Sequence, residues 1–168
     1  MILIIFQGFI GWYMVQSGLV NNVTVSHYRL SLHLSMAFII IMMNFWLLLN
    51  LQKKTFKNFF KIEKNNIFYH ILILLIFLQI IFGAFVSGLD AGKIYQTWPL
   101  MNQNYFPNDF IVKNFIDFLN FDSHSLVQFY HRNLAYLISV YILIIGIIIW
   151  KNDLKRLNKP FYLLFFLL

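Results

Sequence analysis

Two histidines in this 168-residue chain stand where ionisable groups are costly. His33 lies in YRLSLHL and His131 in QFYHRNLAYL, each several residues inside a long apolar run. At such depth in a membrane an ionisable side chain usually faces a bundle interior and marks a site. Neutral imidazole is the commonest protein ligand for metals, haem iron included. The plainer alternative is a neutral ring hydrogen-bonded to a neighbouring helix. Arg29 precedes His33 by one helical turn and shares its face. Arg132 directly follows His131. Either guanidinium suits a bound anion such as a carboxylate, or can snorkel to lipid headgroups. The aromatic neighbours Tyr28, Phe38, Phe129, Tyr130 and Tyr136 would pack against a flat apolar ligand. The other three histidines read as ordinary: His27 as a solvated interfacial residue, His70 as one that snorkels, His124 as a loop residue.

The elements that must position these groups follow from composition. The chain is 60% hydrophobic and only 11% charged, whereas a soluble domain has about a quarter of its residues charged. This predicts an all-α integral membrane protein. A spanning helix needs roughly 20 apolar residues for a core of about 30 Å. Four segments meet or approach that: 1–19, 28–51, 67–89 and 126–150. A fifth apolar run, 161–168, would rise about 12 Å as a helix, too short to cross. The fold expected is a helical bundle of four full transmembrane helices plus a truncated fifth. The first helix starts at Met1 without the basic flank of a signal peptide, and the chain reads as part of a longer protein.

The formal net charge of +7 invites a nucleic-acid reading, but its location argues otherwise. Lys53, Lys54, Lys57, Lys61 and Lys64 form one cluster, and Lys151, Lys155, Arg156 and Lys159 another. Both lie between apolar runs, and no groove-reading motif accompanies them. The positive-inside rule puts the basic loops 52–66 and 151–160 on the cytoplasmic side, or in a mitochondrial matrix. The loop 20–27 carries no Lys or Arg, and 90–125 sets Lys93 and Lys113 against Asp90, Asp109, Asp117 and Asp122. Both loops are expected on the outer side. Within the longer one, 108–121 is expected to form a short amphipathic surface helix. The absence of cysteine excludes disulfides, thiolate metal sites and Cys nucleophiles.

A weak repeat organises the chain. GWYMVQSGL ends the first helix and GAFVSGL the third, and the next helix in each pair carries its histidine near its outer end. Between the second pair, SGLDAGKIYQTWPLM reads as an ordered outer cap. Gly88 and Gly92 permit a sharp turn, and Trp98-Pro99 supplies an interfacial anchor.

Taken together, QGFIGWYMVQSGL, YRLSLHL, GAFVSGLDAGKIYQTWPLM and QFYHRNLAY resemble the haem A synthases. The likeness is to the cysteine-free kind of alphaproteobacteria and mitochondria and covers nearly the whole chain in order. It implies an eight-helix protein of two similar four-helix halves that oxidises the haem O methyl group to the formyl group of haem A. Residues 1–66 would be the second helix pair of the first half with its basic loop. Residues 67–168 would belong to the second half, ending at the start of the seventh helix. By the same resemblance His33 faces the iron of the substrate haem, His131 binds the iron of a haem b, and Arg29 and Arg132 lie near the haems. The family's catalytic acidic residue falls before Met1, and the histidines that complete both sites also fall outside this chain. The segment alone is thus expected to be inactive, in a bacterial cytoplasmic or mitochondrial inner membrane. Its implied partners are the lipid bilayer, haem O with the enzyme supplying it, and a homo-oligomer as an open option; nucleic acid is excluded. Two other readings fit the residues: a b-type cytochrome using His33 and His131 as one axial pair, and a haem-free transporter or assembly subunit.

Overall fold

A helix that is apolar on every side satisfies its backbone internally and leaves its side chains for lipid. Most of this chain obeys that rule. The computed structural model describes residues 1–18, 24–53, 67–153 and 155–166. They form five helices: α1 (Ile2–Gly18), α2 (His27–Lys53), α3 (Ile67–Gly88), α4 (His124–Lys151) and α5 (Lys155–Phe166). Helices α2, α3 and α4 are long and apolar enough to cross a membrane. The first, expected as a full span, is described over 17 residues, about 26 Å at about 1.5 Å per residue. Among the described residues, three helices therefore have the length and composition of a span where four were expected. Leu19, half of the 20–27 loop and most of the 52–66 loop, with Lys54, Lys57, Lys61 and Lys64, lie outside the described residues.

Each helix packs on its neighbour in sequence. Contacts at both ends show the direction. Gly83 near the end of α3 meets His131 near the start of α4, while Tyr141 Oη donates to Phe68 O at 3.1 Å at the other end. Gly88 closes on His27 at the start of α2. Neighbouring helices thus run antiparallel. The buried core lies between α3, α4 and α5: Leu72 faces Ile138, Ile142, Ile145 and Ile149, which recur at helical spacing. Gly146 admits Phe161 of α5 where any Cβ would lie 2.3 Å from its ring.

Helix α4 begins two residues before the expected point, so His124 is helical rather than in a loop. Ser123 N-caps it, its hydroxyl accepting from Leu126 N. The amphipathic helix expected at 108–121 is confined to one 3₁₀ segment, Phe115–Leu119. Asp117 accepts from the backbone N–H groups of Lys113 and Asn114, both at 2.7 Å, and fixes that start. Phe110 and Phe118 turn inward onto Phe106, which packs on Phe129 of α4 with ring centres 5.0 Å apart. Phe115 and Ile116 stay outside, 82% and 75% exposed.

Candidate functional site

The repeat seen in the sequence becomes two matching clusters in space. In the first, a Cβ on Gly11 of α1 would lie 2.9 Å from His33 Cε1 of α2. In the second, a Cβ on Gly83 of α3 would lie 3.3 Å from His131 Cε1 of α4. Each imidazole edge therefore rests on a glycine of the preceding helix, in space that a larger residue would fill.

One helical turn before each glycine stands a glutamine. Gln7 Nε2 donates to His33 O at 3.0 Å and lies 3.2 and 3.3 Å from the two ring nitrogens. Gln79 Nε2 donates to His131 O at 3.2 Å and lies 3.4 Å from its Nε2. Sequence reasoning missed both glutamines. The signal was present as Gln-x-x-x-Gly in each repeat unit, but nothing local says that this face meets a histidine.

Both rings are half-buried. His131 Nδ1 is a buried nitrogen without a hydrogen-bond partner among the described residues. Such an atom in native structures calls for an explanation. An imidazole in apolar surroundings, lying on a glycine, is a ligand suited to haem iron through one ring nitrogen, the other being left to find a hydrogen-bond partner. The residues present fit that group. No cluster of three or more His, Asp or Glu side chains that could hold a bare metal ion occurs among the described residues.

The arginines take different places. Arg29 lies over the Tyr13 ring, its guanidinium carbon 5.1 Å from the centre, a cation–π contact between α1 and α2. Arg132 donates from Nη1 to Thr97 O at 2.8 Å and from Nη2 to Tyr95 O at 2.5 Å. It thus ties the outer loop to α4. A guanidinium has five N–H donors, so Arg132 keeps others for an anion.

One turn earlier, buried Gln128 donates to Tyr95 O at 2.9 Å and accepts from Tyr95 N at 3.3 Å. Tyr95 Oη donates to Asp109 Oδ1 at 2.5 Å, and Ser125 Oγ donates to the other carboxylate oxygen. Burial pushes the Asp109 carboxyl up, but the Ser125 and Tyr95 donors outweigh it and hold the group below its ordinary range. Burial, and then the bond to Asp109, push the Tyr95 hydroxyl up. The expected outer cap is therefore real, but its turn is made differently. Asp90, not a glycine, takes the left-handed conformation (φ 53), and Trp98-Pro99 is cis.

His27, read as solvated, is buried. Its ring lies tilted against that of Tyr28, with ring centres 4.0 Å apart, and meets Phe85 edge-on. Its Nε2 lies 3.4 Å from Asp122 Oδ1, within ion-pair range but without hydrogen-bond geometry. A groove of about 660 Å³ runs along the neighbouring face of α4, lined by Phe82, Phe118, Phe121, Tyr130, Leu134 and Leu137 among others, but by neither His33 nor His131.

The chain is similar in sequence to known proteins over nearly all of its length. The chain is 47% identical to the heme A synthase of Pelagibacter ubique over 98% of its own length and 47% of that protein's. It is 44% identical to the heme A synthase of Wolbachia pipientis over 96% of its length and 47% of that protein's. It is 39% identical to the heme A synthase of Rickettsia africae over 100% of its length and 50% of that protein's. The chain spans about half the length of these curated relatives. No solved structure matches it. The family model COX15-CtaA, described as cytochrome oxidase assembly protein, matches residues 1–168, and the chain belongs to that family.

Proposed function

We propose that this chain supplies the haem-holding helices of a haem A synthase, the membrane enzyme that oxidises the methyl group of haem O to a formyl group. The observation that carries this reading is the duplicated cluster: His33 against Gly11 and His131 against Gly83, at equivalent depths in two antiparallel helix pairs. His33 and His131 would hold haem there, which would supply the oxidising chemistry while the protein supplies position and electrostatics.

His33 offers its ring to the iron of the substrate haem, and His131 to that of a haem b. The antiparallel packing puts both near the end of the bundle that carries the 90–125 loop. In this reading that end faces outward, and the basic loops lie in the cytoplasm or mitochondrial matrix. The halves divide at residue 66, so the two rings serve separate irons. Arg29 and Arg132, at the same end, provide cationic partners for carboxylates at a macrocycle's rim. The Gln128–Tyr95–Asp109 network ties the outer loop to the start of the helix that carries His131. Haem O comes from the membrane phase, delivered by the enzyme that makes it, and the chain is free to assemble as a homo-oligomer.

Titration of the detergent-solubilised chain with ferric protohaem tests the reading. A Soret band is expected, with H33A and H131A each removing a separate part of it. No band at all, or a band untouched by both substitutions, would overturn the assignment.

A further inference from the structure

Each cluster leaves an amide oxygen with nothing to accept. Gln7 Oε1 and Gln79 Oε1 are buried without hydrogen-bond partners among the described residues, as is His131 Nδ1. The amide nitrogens behave alike too, each donating to the backbone carbonyl of the facing histidine and reaching its ring. An amide nitrogen can only donate. Gln7 Nε2 meets both His33 ring nitrogens, which leaves the tautomer of that ring open, but Gln79 Nε2 meets one nitrogen of His131, which must therefore present a lone pair. For His131 that nitrogen is Nε2, which assigns the proton to Nδ1. That Nδ1–H then faces no acceptor, while a buried acceptor of the same glutamine has no donor.

We propose that Gln79 is the positioning residue of His131, acting by exchange of partners, and that Gln7 holds His33 from the equivalent place on α1. While no metal engages the ring, the amide nitrogen holds the imidazole lone pair. When that lone pair is given to iron, the ring turns and its Nδ1–H passes to the amide oxygen. The bond from the amide nitrogen to the histidine carbonyl persists and keeps the glutamine in place. The exchange would pair both atoms now orphaned in the second cluster. A ligating imidazole ordinarily donates its other N–H to a fixed acceptor, which sets the tautomer and raises its donor strength. Here the glutamine is built in before the metal arrives. The amide-to-carbonyl bond and the unpaired amide oxygen recur in both helix pairs, which argues against accidental packing. This inference rests on the reading of the two histidines as haem ligands.

The test uses the chain in detergent, in an H33A background so that one site reports. In the haem-free chain labelled with ¹⁵N-histidine, His131 is expected as the Nδ1–H tautomer with a hydrogen-bonded Nε2. Q79L should shift both ring ¹⁵N resonances. With ferric protohaem bound, Q79L should raise the midpoint potential and Q79E, a stronger acceptor, should lower it. A merely structural role would change haem content in one sense for both and would not split the potentials. If H131A leaves the Soret band intact, the ligand reading fails, and the ¹⁵N spectra still decide whether Gln79 holds the free ring. If H131A abolishes the band but Q79L and Q79E leave resonances and potential unchanged, the partner exchange is wrong and the ligand reading survives.

Discussion

Replacing either glycine beneath a histidine should damage the two sites unequally, because the structure gives them unequal clearance. The methyl carbon added by G11A would lie 2.9 Å from His33 Cε1, and that added by G83A 3.3 Å from His131 Cε1. Ordinary contact begins at 3.4 Å. The His33 ring must therefore retreat by roughly 0.5 Å, but the His131 ring by only roughly 0.1 Å, since a ring pressed inside contact distance meets steep repulsion. Metal–ligand distances tolerate about ±0.2 Å. The first retreat exceeds that tolerance and the second does not. Loss of an orienting partner typically costs about 10- to 100-fold in metal affinity. We predict a loss of that order for G11A and less than about threefold for G83A. Stability should not follow the same pattern. Alanine in a helix interior gains about 1 kcal/mol over glycine, which offsets much of an overpacking strain of about 1–3 kcal/mol. The assay is a ferric protohaem titration in detergent, with G11A measured in an H131A background and G83A in an H33A background. Equal losses at the two sites, or an unchanged affinity in G11A, would show that the glycines do not set the ring positions.

Two further outcomes concern the frame around the sites. A Cβ on Gly88 would lie 2.7 Å from His27 Cβ and 2.8 Å from its Cα, so G88A should cost about 1–3 kcal/mol by overpacking. H27A should not relieve it, because the clash is with backbone and Cβ rather than the ring; thermal unfolding of single and double variants checks this, and rescue by H27A would refute it. Acid should release the outer loop. Asp109 is held below its ordinary range, so its contribution is present above the unfolded carboxylate value of about 3.9 and is lost as pH falls through the lower folded value. Tyr95 is raised, so its contribution is lost only as pH rises beyond its ordinary value of about 10. Near-ultraviolet circular dichroism should be flat between those limits and change on acidification, and D109N should lack the acid step. An identical acid step in D109N would place the titrating group elsewhere.

The amino-acid sequence by itself determined the class of this protein. Runs of apolar residues longer than any soluble helix requires can satisfy their backbone only as membrane helices, and that needs no knowledge of neighbours. It also singled out two of the five histidines. His33 and His131 stand out because lipid makes their burial costly, and the motifs around them already resembled the right family. What touches those rings was decided by tertiary structure alone. Gln7 and Gly11 are 26 and 22 positions before His33, and Gln79 and Gly83 are 52 and 48 before His131. Local sequence does not specify the rotation of one helix against the next, on which such contacts depend. The same reason explains His27, whose burial comes from the close approach of Gly88 at the end of another helix. It explains Arg132 as well: its side chain was legible as a cation near the outer surface, but its engagement with Tyr95 and Thr97 required the loop to fold back onto α4. The expected helix at 108–121 failed for a related cause. Its apolar spacing is helical, yet Phe110 and Phe118 gain more by packing on Phe106 above α4 than a surface helix would give them.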